Sequence, residues 1–343
     1  MAREIGSEFW KEVPASGQKV FLLSGRTALE FIIRDILENN NVSSALLPSY
    51  CCHTMIEPFA RNGVQVRFYD VFFDQEMGLC ADIPAVQADE VFYYMTYFGF
   101  GKLNGIDPVS TRERYPIIIN DSTHSWLSGK SGLRADYSFT SYRKWSGFSG
   151  IAEAQKHHGE FAITPGELCA EKYVSLREQA FALKGEYLRT GAGDKNSFRT
   201  MFGEAESLLE TEYVDFRPSY RAMDDFLSTD WAEIKSRRRT NAKCLIDGLR
   251  NCEGIDLVFD RLSDEDVPLF VPVLVKKDRD RLRKHLIDQQ IYCPVHWPLS
   301  DLHRGISERA EDIYHQELSL LCDQRYGEDD MNRIIQQITN YFR

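Results

Sequence analysis

The apolar run Tyr115-Pro116-Ile117-Ile118-Ile119 leads through Asn120 into an aspartate, and one short strand later comes Ser141-Tyr142-Arg143-Lys144-Trp145. An acid, a hydroxyl and a lysine in that order meet the needs of pyridoxal phosphate (PLP). Asp121 would keep the pyridine nitrogen protonated, Ser141 would hold the phosphate, and Lys144 would form the Schiff base. Arg143 places a second cation beside Lys144, which lowers the proton affinity of the amine, and Trp145 points to partial burial. His124, three residues past Asp121, is a candidate to contact the phenolic oxygen of the cofactor or to support the aspartate. Taken singly, a lysine belongs at the surface and an aspartate after a strand is a turn residue. The order and spacing carry the reading.

Other segments add to it. Ser24-Gly25-Arg26-Thr27 lies between a strand pattern and a helix pattern. Amides at a helix start attract anions, glycine permits close approach, and Arg26 offers a second cation for a phosphate. Pro48-Ser49-Tyr50-Cys51-Cys52 opens the next helix, with Tyr50 and Cys52 as candidates to lie over the ring of a cofactor. Late in the chain, Cys293-Pro294-Val295-His296-Trp297-Pro298 and Cys322-Asp323-Gln324-Arg325-Tyr326 suggest a substrate-facing wall. There His296 and Arg325 are the polar candidates, and Arg325 is suited to grip a carboxylate or phosphate with two hydrogen bonds.

Positioning these groups requires an α/β layer structure. Strand patterns at Val20–Leu23, Ala45–Leu47, Val64–Tyr69, Val91–Thr96, Pro116–Asn120 and Tyr137–Thr140 alternate with helical ones at Thr27–Leu37 and His53–Arg61. Ser24, Ser49, Thr96, Asp121 and Ser141 then all fall at strand ends, where open α/β sheets bind ligands. From Pro165 the patterns become long and helical (Glu167–Leu188, Ser197–Leu209, Tyr220–Leu249). A compact α/β tail follows, with strands at Asp256–Phe259 and Pro268–Val275 and helices at Arg279–Gln289 and Asp329–Tyr341. The expected division is a large domain over residues 1–222 and a small one over 223–343.

The 343 residues carry a net charge of −11, which argues against a nucleic-acid binder, and no basic helix-turn-helix segment is present. No apolar run is long enough to cross a bilayer, and Met1-Ala2-Arg3-Glu4-Ile5-Gly6 has no signal-peptide core, so a cytoplasmic location is expected. The eight cysteines are irregularly spaced without a C-x-x-C pair; reduced, mostly buried thiols are expected, and no metal site.

These motifs, in this order, resemble the DegT/DnrJ/StrS family of PLP-dependent aminotransferases, over nearly the whole chain from about Gly6. Ser24-Gly25-Arg26 is similar to the family's Ser-Gly-Thr phosphate loop, with Arg26 for threonine. Pro48 to Cys52 resembles the segment that supplies the ring-stacking residue, here Cys52 in place of an aromatic. Met95-Thr96-Tyr97-Phe98-Gly99 resembles the loop after the fourth strand. Asp121 to His124 resembles the family's Asp-Ala-Ala-His/Gln, and Ser141 to Lys144 its phosphate serine and lysine. The usual Gly-Gly pair after the lysine is Gly147-Phe148-Ser149-Gly150.

The resemblance implies fold type I, with a mixed, mostly parallel sheet in the large domain. It also implies a homodimer and amino transfer from glutamate to a keto-sugar, nucleotide-linked in this family. Competing readings are a PLP-dependent lyase or dehydratase, and a non-catalytic PLP-binding protein on the same scaffold.

Overall fold

The computed structural model describes residues 17–87, 89–101, 103–129 and 133–343. The opening residues Met1 to Gly6, expected to lack a signal-peptide core, lie outside them. The large sheet comprises β1 (Lys19–Leu22), β2 (Ser44–Pro48), β3 (Gln65–Asp74), β4 (Gly78–Asp82), β5 (Glu90–Met95), β6 (Ile117–Asp121), β7 (Tyr137–Ser141) and β8 (Ala152–Lys156). Its strand order is β1-β8-β7-β6-β5-β2-β3-β4. The five neighbours β7, β6, β5, β2 and β3 are parallel. β8 runs antiparallel to both β7 and β1, and β4 folds back on β3. Because two reversals cancel, β1 ends at the same edge of the sheet as β2, β5, β6 and β7. The mixed, mostly parallel sheet of fold type I is therefore present.

Every residue of β2 and β5 is buried, as expected of strands covered on both faces. Helices α1 (Gly25–Asn39) and α2 (His53–Arg61) follow β1 and β2, and α3 (Pro108–Arg114) precedes β6. Ser24 begins α1 by accepting the Thr27 N–H on its hydroxyl, a cap that contributes about 1 kcal/mol.

Beyond β8 the helices α4 (Glu171–Thr190) and α5 (Lys195–Thr211) pack as a hairpin. Their flanks pair through the two-residue strands β9 (Leu168–Cys169) and β10 (Phe216–Arg217). The single helix expected over Tyr220–Leu249 is in fact α6 (Tyr220–Ser228) and α7 (Trp231–Leu249). Asp230 breaks it by taking the N–H groups of Ala232 and Glu233 on its side chain and so starting a new helix.

The second sheet is antiparallel, β11 (Ile255–Leu257), β12 (Phe270–Val275) and β13 (Glu317–Leu321), with β12 central. It is joined by α8 (Arg279–Asp288), α9 (Glu308–Gln316) and α10 (Glu328–Phe342).

The two sheets share one hydrophobic core. Gly99 lies on the joint with φ +82°. A side chain there would drive its first carbon to within 2.0 Å of the Val267 carbonyl, so only glycine lets this loop meet the segment before β12. The Val267 and Leu269 N–H groups donate to the Gly99 and Phe98 carbonyls at 3.0 and 2.7 Å. No described helix is long and apolar enough to cross a membrane.

Candidate active site

The ends of β1, β2, β5, β6 and β7 lie along one edge of the large sheet, and the start of α1 stands beside the end of β7. Gly25 comes so close to Ser141 that a Cβ added to it would stand 3.1 Å from the Cβ of Ser141. The gap between the α1 N-terminus and the end of β7 is thus kept open by the missing side chain. The Ser24 hydroxyl is occupied in capping, bonded to Thr27 N and Oγ1. The amides of the first helical turn ahead of Thr27 have no acceptor within the helix. The hydroxyl of Ser141 is buried and has no partner. A buried hydroxyl without a partner, facing free amides at a helix start, suits a phosphate.

Lys144 sits on a short 3₁₀ turn, Tyr142–Lys144, directly after β7. The residues on both sides of it are clamped. Tyr142 packs edge-on against Trp126, and Trp145 donates its indole N–H to the Thr123 carbonyl at 2.9 Å. Arg238 lies 5.0 Å over the Trp145 ring, and the Gln324 amide donates to the Trp145 carbonyl at 2.8 Å. Lys144 itself is solvent-exposed. Protein still surrounds it closely enough that desolvation, then the Arg143 guanidinium, pull its ammonium below the ordinary lysine range.

Asp121 ends β6 and is almost fully buried. One carboxylate oxygen takes the Tyr93 hydroxyl at 2.7 Å and the other the Thr123 N–H at 2.8 Å. Burial nevertheless lifts its pKa above the ordinary value, against the pull of those hydrogen bonds and of the Lys144 charge. A cation brought to its remaining lone pairs would restore the ionised form, which is what a pyridinium does. The His124 ring lies 5.2 Å from Phe98 and 5.5 Å from Trp297, and its Nδ1 is buried without a partner. Burial, then His296 and Lys144, hold its pKa well below the usual histidine value, so the ring is neutral. The unpartnered Ser141 Oγ and His124 Nδ1 and the cation-poor Asp121 fit PLP at three separate points.

His296 faces the same centre, and its pKa is pushed down to about 3 by burial and then by Lys144. Its Nδ1 is 2.8 Å from Ser319 Oγ, and Ser319 is 2.5 Å from Glu317 Oε1. The His296 N–H donates to the other Glu317 oxygen at 2.6 Å. With Glu317 ionised, Ser319 donates to it and His296 Nδ1–H donates to Ser319; with Glu317 protonated, both donations can reverse. The tautomer of His296 is therefore coupled to one buried proton.

Burial lifts Glu317 to about 8. Between about pH 4.5 and 8 the folded protein keeps a proton that the unfolded chain has released. This stabilising contribution is complete below the lower limit and is lost as pH rises to the upper, by on the order of 4 kcal/mol. Urea unfolding at about pH 5 and about pH 8 should show that loss in the parent protein and a flatter profile in Glu317→Gln. Parallel profiles would contradict it.

Other sequence candidates are placed differently. Arg26 is engaged elsewhere: it donates to the Leu209 carbonyl at 2.8 Å, pairs with Glu57 at 3.5 Å and lies over the Tyr213 ring. Tyr50 is buried between the two sheets, stacked 5.4 Å from Tyr97, with its hydroxyl donating to the His296 carbonyl. Its role there is to join the sheets. Cys52 is half-buried at the start of α2, beside Lys144. Burial raises its thiol pKa, but hydrogen bonding with His53 and Thr54 outweighs that and leaves it lowered. The Cys52–His53 contact, 3.9 Å, was not apparent as a pairing in the sequence. Arg325 spends its guanidinium on Asp323 through two hydrogen bonds of 2.7 and 2.8 Å. Arg143 is likewise held by Glu206, at 2.6 and 3.2 Å, and by the Tyr173 hydroxyl.

Tyr93, Glu206, Glu317 and Ser319 were not recognised in the sequence. Tyr93 alone had a local signal, since it stands two residues before Met95, the cross-strand neighbour of Asp121. All eight cysteines are free thiols, four of them buried.

Residues 229–339 match the model of the DegT/DnrJ/EryC1/StrS aminotransferase family. That segment holds His296 and Arg325 but neither Asp121 nor Lys144, and over it the family resemblance read from the sequence is borne out. No curated protein matches the chain. Among solved structures, it is similar to DesV of S. venezuelae at 19% identity, covering 94% of this chain and 84% of that one with a TM-score of 0.65. It is similar to the aminotransferase TlmJ from Streptoalloteichus hindustanus at 17%, covering 94% and 85%, TM-score 0.64. It is also similar to E. coli GDP-4-keto-6-deoxy-D-mannose-3-dehydratase with bound hydrated PLP, at 15%, covering 94% and 88%, TM-score 0.62. At these identities the likeness establishes the fold.

Proposed function

From an aminotransferase-family C-terminal segment on a fold-type-I scaffold, we propose that this protein is a PLP-dependent aminotransferase. It would take an amino group from glutamate and deliver it to a keto-sugar, nucleotide-linked. The observation that carries this reading is the convergence of Lys144, Asp121 and the two unpartnered buried atoms, Ser141 Oγ and His124 Nδ1, at one sheet edge. PLP, when bound, supplies an electron sink for the substrate carbon that exchanges its amino group.

The residues of the chain then divide the work. Ser141 and the first amides of α1 hold the phosphate, and Asp121 keeps the ring nitrogen protonated. Lys144 Nζ, its proton affinity lowered by desolvation and Arg143, moves a proton at the substrate carbon as base and then as acid. Neutral His124 offers a hydrogen bond at the edge of the ring, and the buried rings of Phe98 and Trp297 beside it keep water from that side. The division into domains at residues 222 and 223, a homodimeric assembly and a cytoplasmic location belong to the same proposal.

Glutamate added to the PLP-loaded protein should convert the cofactor to its amine form, seen as a loss of visible absorbance, with one equivalent of 2-oxoglutarate released. An unchanged spectrum with PLP bound would overturn the proposal. A second reading is dehydration on this scaffold, favoured by the fold likeness to the E. coli dehydratase. It predicts turnover of a keto-sugar with water lost and no nitrogen transferred.

A further inference from the structure

Glu317 and Ser319 alternate with the buried Leu318 and Leu320 along β13, so both polar side chains leave the strand on the same face. The Ser319 N–H donates to the Pro294 carbonyl at 3.0 Å, which brings His296 alongside them. Glu317 is 1% exposed, and among the described residues no cation pairs with its carboxyl. Arg279 acts on it only through space. Its N–H groups go to the Asp280 carboxylate and to the main-chain carbonyls of Tyr314 and Glu317. Tyr50 and Cys293 also face Glu317, and burial keeps both protonated. A carboxyl in such a place needs a proton of its own or one close at hand.

His296 cannot act as an ordinary base, because burial and then Lys144 oppose an imidazolium there. His124 faces it as well, 5.8 Å away between ring centroids, and is itself neutral. The chain from His296 Nδ1 through Ser319 Oγ to Glu317 Oε1, at 2.8 and 2.5 Å, removes the difficulty. A proton accepted at His296 Nε2 is matched by one leaving Nδ1 for Ser319 Oγ and by the serine proton passing to Glu317. Three bonds to hydrogen form as three break. The imidazole is neutral before and after, and the carboxylate becomes the acid. Run backwards, the same shift delivers a proton at Nε2. That atom has no partner among the described residues and is not sealed from solvent.

We propose that Glu317, Ser319 and His296 form a proton relay, in which an uncharged imidazole exchanges a proton with an oxygen or nitrogen of a ligand bound near Lys144 and Glu317 stores it. Glu317 and Ser319 are positioning residues, and His296 alone touches the ligand. The place of the relay in catalysis rests on the aminotransferase reading, whereas the coupling of the three side chains does not.

The tautomer of His296 tests the coupling in the full chain, with or without PLP. Nitrogen NMR of histidine-labelled protein reads it, the His296 signals being assigned by their loss in His296→Gln. The ring should stay neutral while its proton moves from Nε2 to Nδ1 as pH rises through about 8. Glu317→Gln preserves every bond: its oxygen takes the His296 main-chain N–H and its NH2 donates to Ser319, so Nε2 should keep the proton at every pH. Ser319→Ala cuts the relay and should leave the tautomer insensitive to pH. In the PLP-loaded protein, conversion of the cofactor by glutamate should slow by about 10²-fold in Ser319→Ala, with the absorption band of bound cofactor unchanged. An imidazolium at His296, a tautomer that ignores pH in the parent, or a parent-like rate in Ser319→Ala overturns the proposal. A parent that binds PLP but does not respond to glutamate overturns the aminotransferase reading instead, and the tautomer still decides the coupling.

Discussion

Lys144→Ala removes the visible absorption band of lysine-linked cofactor and lowers turnover by about 10²–10⁴-fold or more, the range associated with losing a positioned base. The fold should survive. Lys144 is exposed, and the turn that carries it is anchored by Tyr142 and Trp145, neither of which uses the lysine side chain. The expected pattern is therefore an unchanged melting temperature with the spectrum and the activity both lost. A variant that retained the band would place the covalent link at another lysine.

The second large effect is at Asp121. Asp121→Asn keeps the volume and, with its amide oxygen toward Thr123, the hydrogen bond from the Thr123 N–H; its NH2 then donates to the Tyr93 hydroxyl, reversing that bond, so folding is preserved. What it removes is the negative charge that keeps the pyridine nitrogen protonated. PLP should still bind, through Ser141, the α1 amides and Lys144, while turnover falls by about 10²–10³-fold, as when a preorganised electrostatic partner is removed. Parent-level turnover in this variant would show that the aspartate is a structural acceptor for Tyr93 and Thr123 alone.

The legible part of this protein was the part written in local order. β6, β7 and the turn after β7 follow each other within about thirty residues, so Asp121, Ser141 and Lys144 could be placed at adjacent strand ends from apolar runs and their endings. Ser24-Gly25 was legible for the same reason, since a strand that stops at a capping serine and a glycine marks a helix start. Side-chain direction was not legible. Arg26 and Tyr50 have the right residue types at the right junctions. Yet Arg26 is drawn to Glu57 and the end of α5, and Tyr50 to the joint between the sheets. Both partners lie far along the chain.

β8 was missed because Ala, Glu, Gln and Lys are poor strand formers; pairing on both sides holds Ala152–Lys156 in the sheet regardless. Glu317 and Ser319 were missed because a glutamate and a serine in a strand read as its polar face. Only the fold shows them buried on His296. Arg325 was read as a ligand for an incoming anion, and its near neighbour Asp323 takes that role within the chain.

The claim on which the rest depends is that Lys144 and Asp121 hold opposite sides of one PLP ring. Borohydride reduction of the PLP-loaded protein, followed by peptide mapping of the pyridoxyl group, tests it most directly. The account predicts a single modified residue, Lys144. A pyridoxyl group on any other lysine, or none on a protein that has taken up the cofactor, would contradict it.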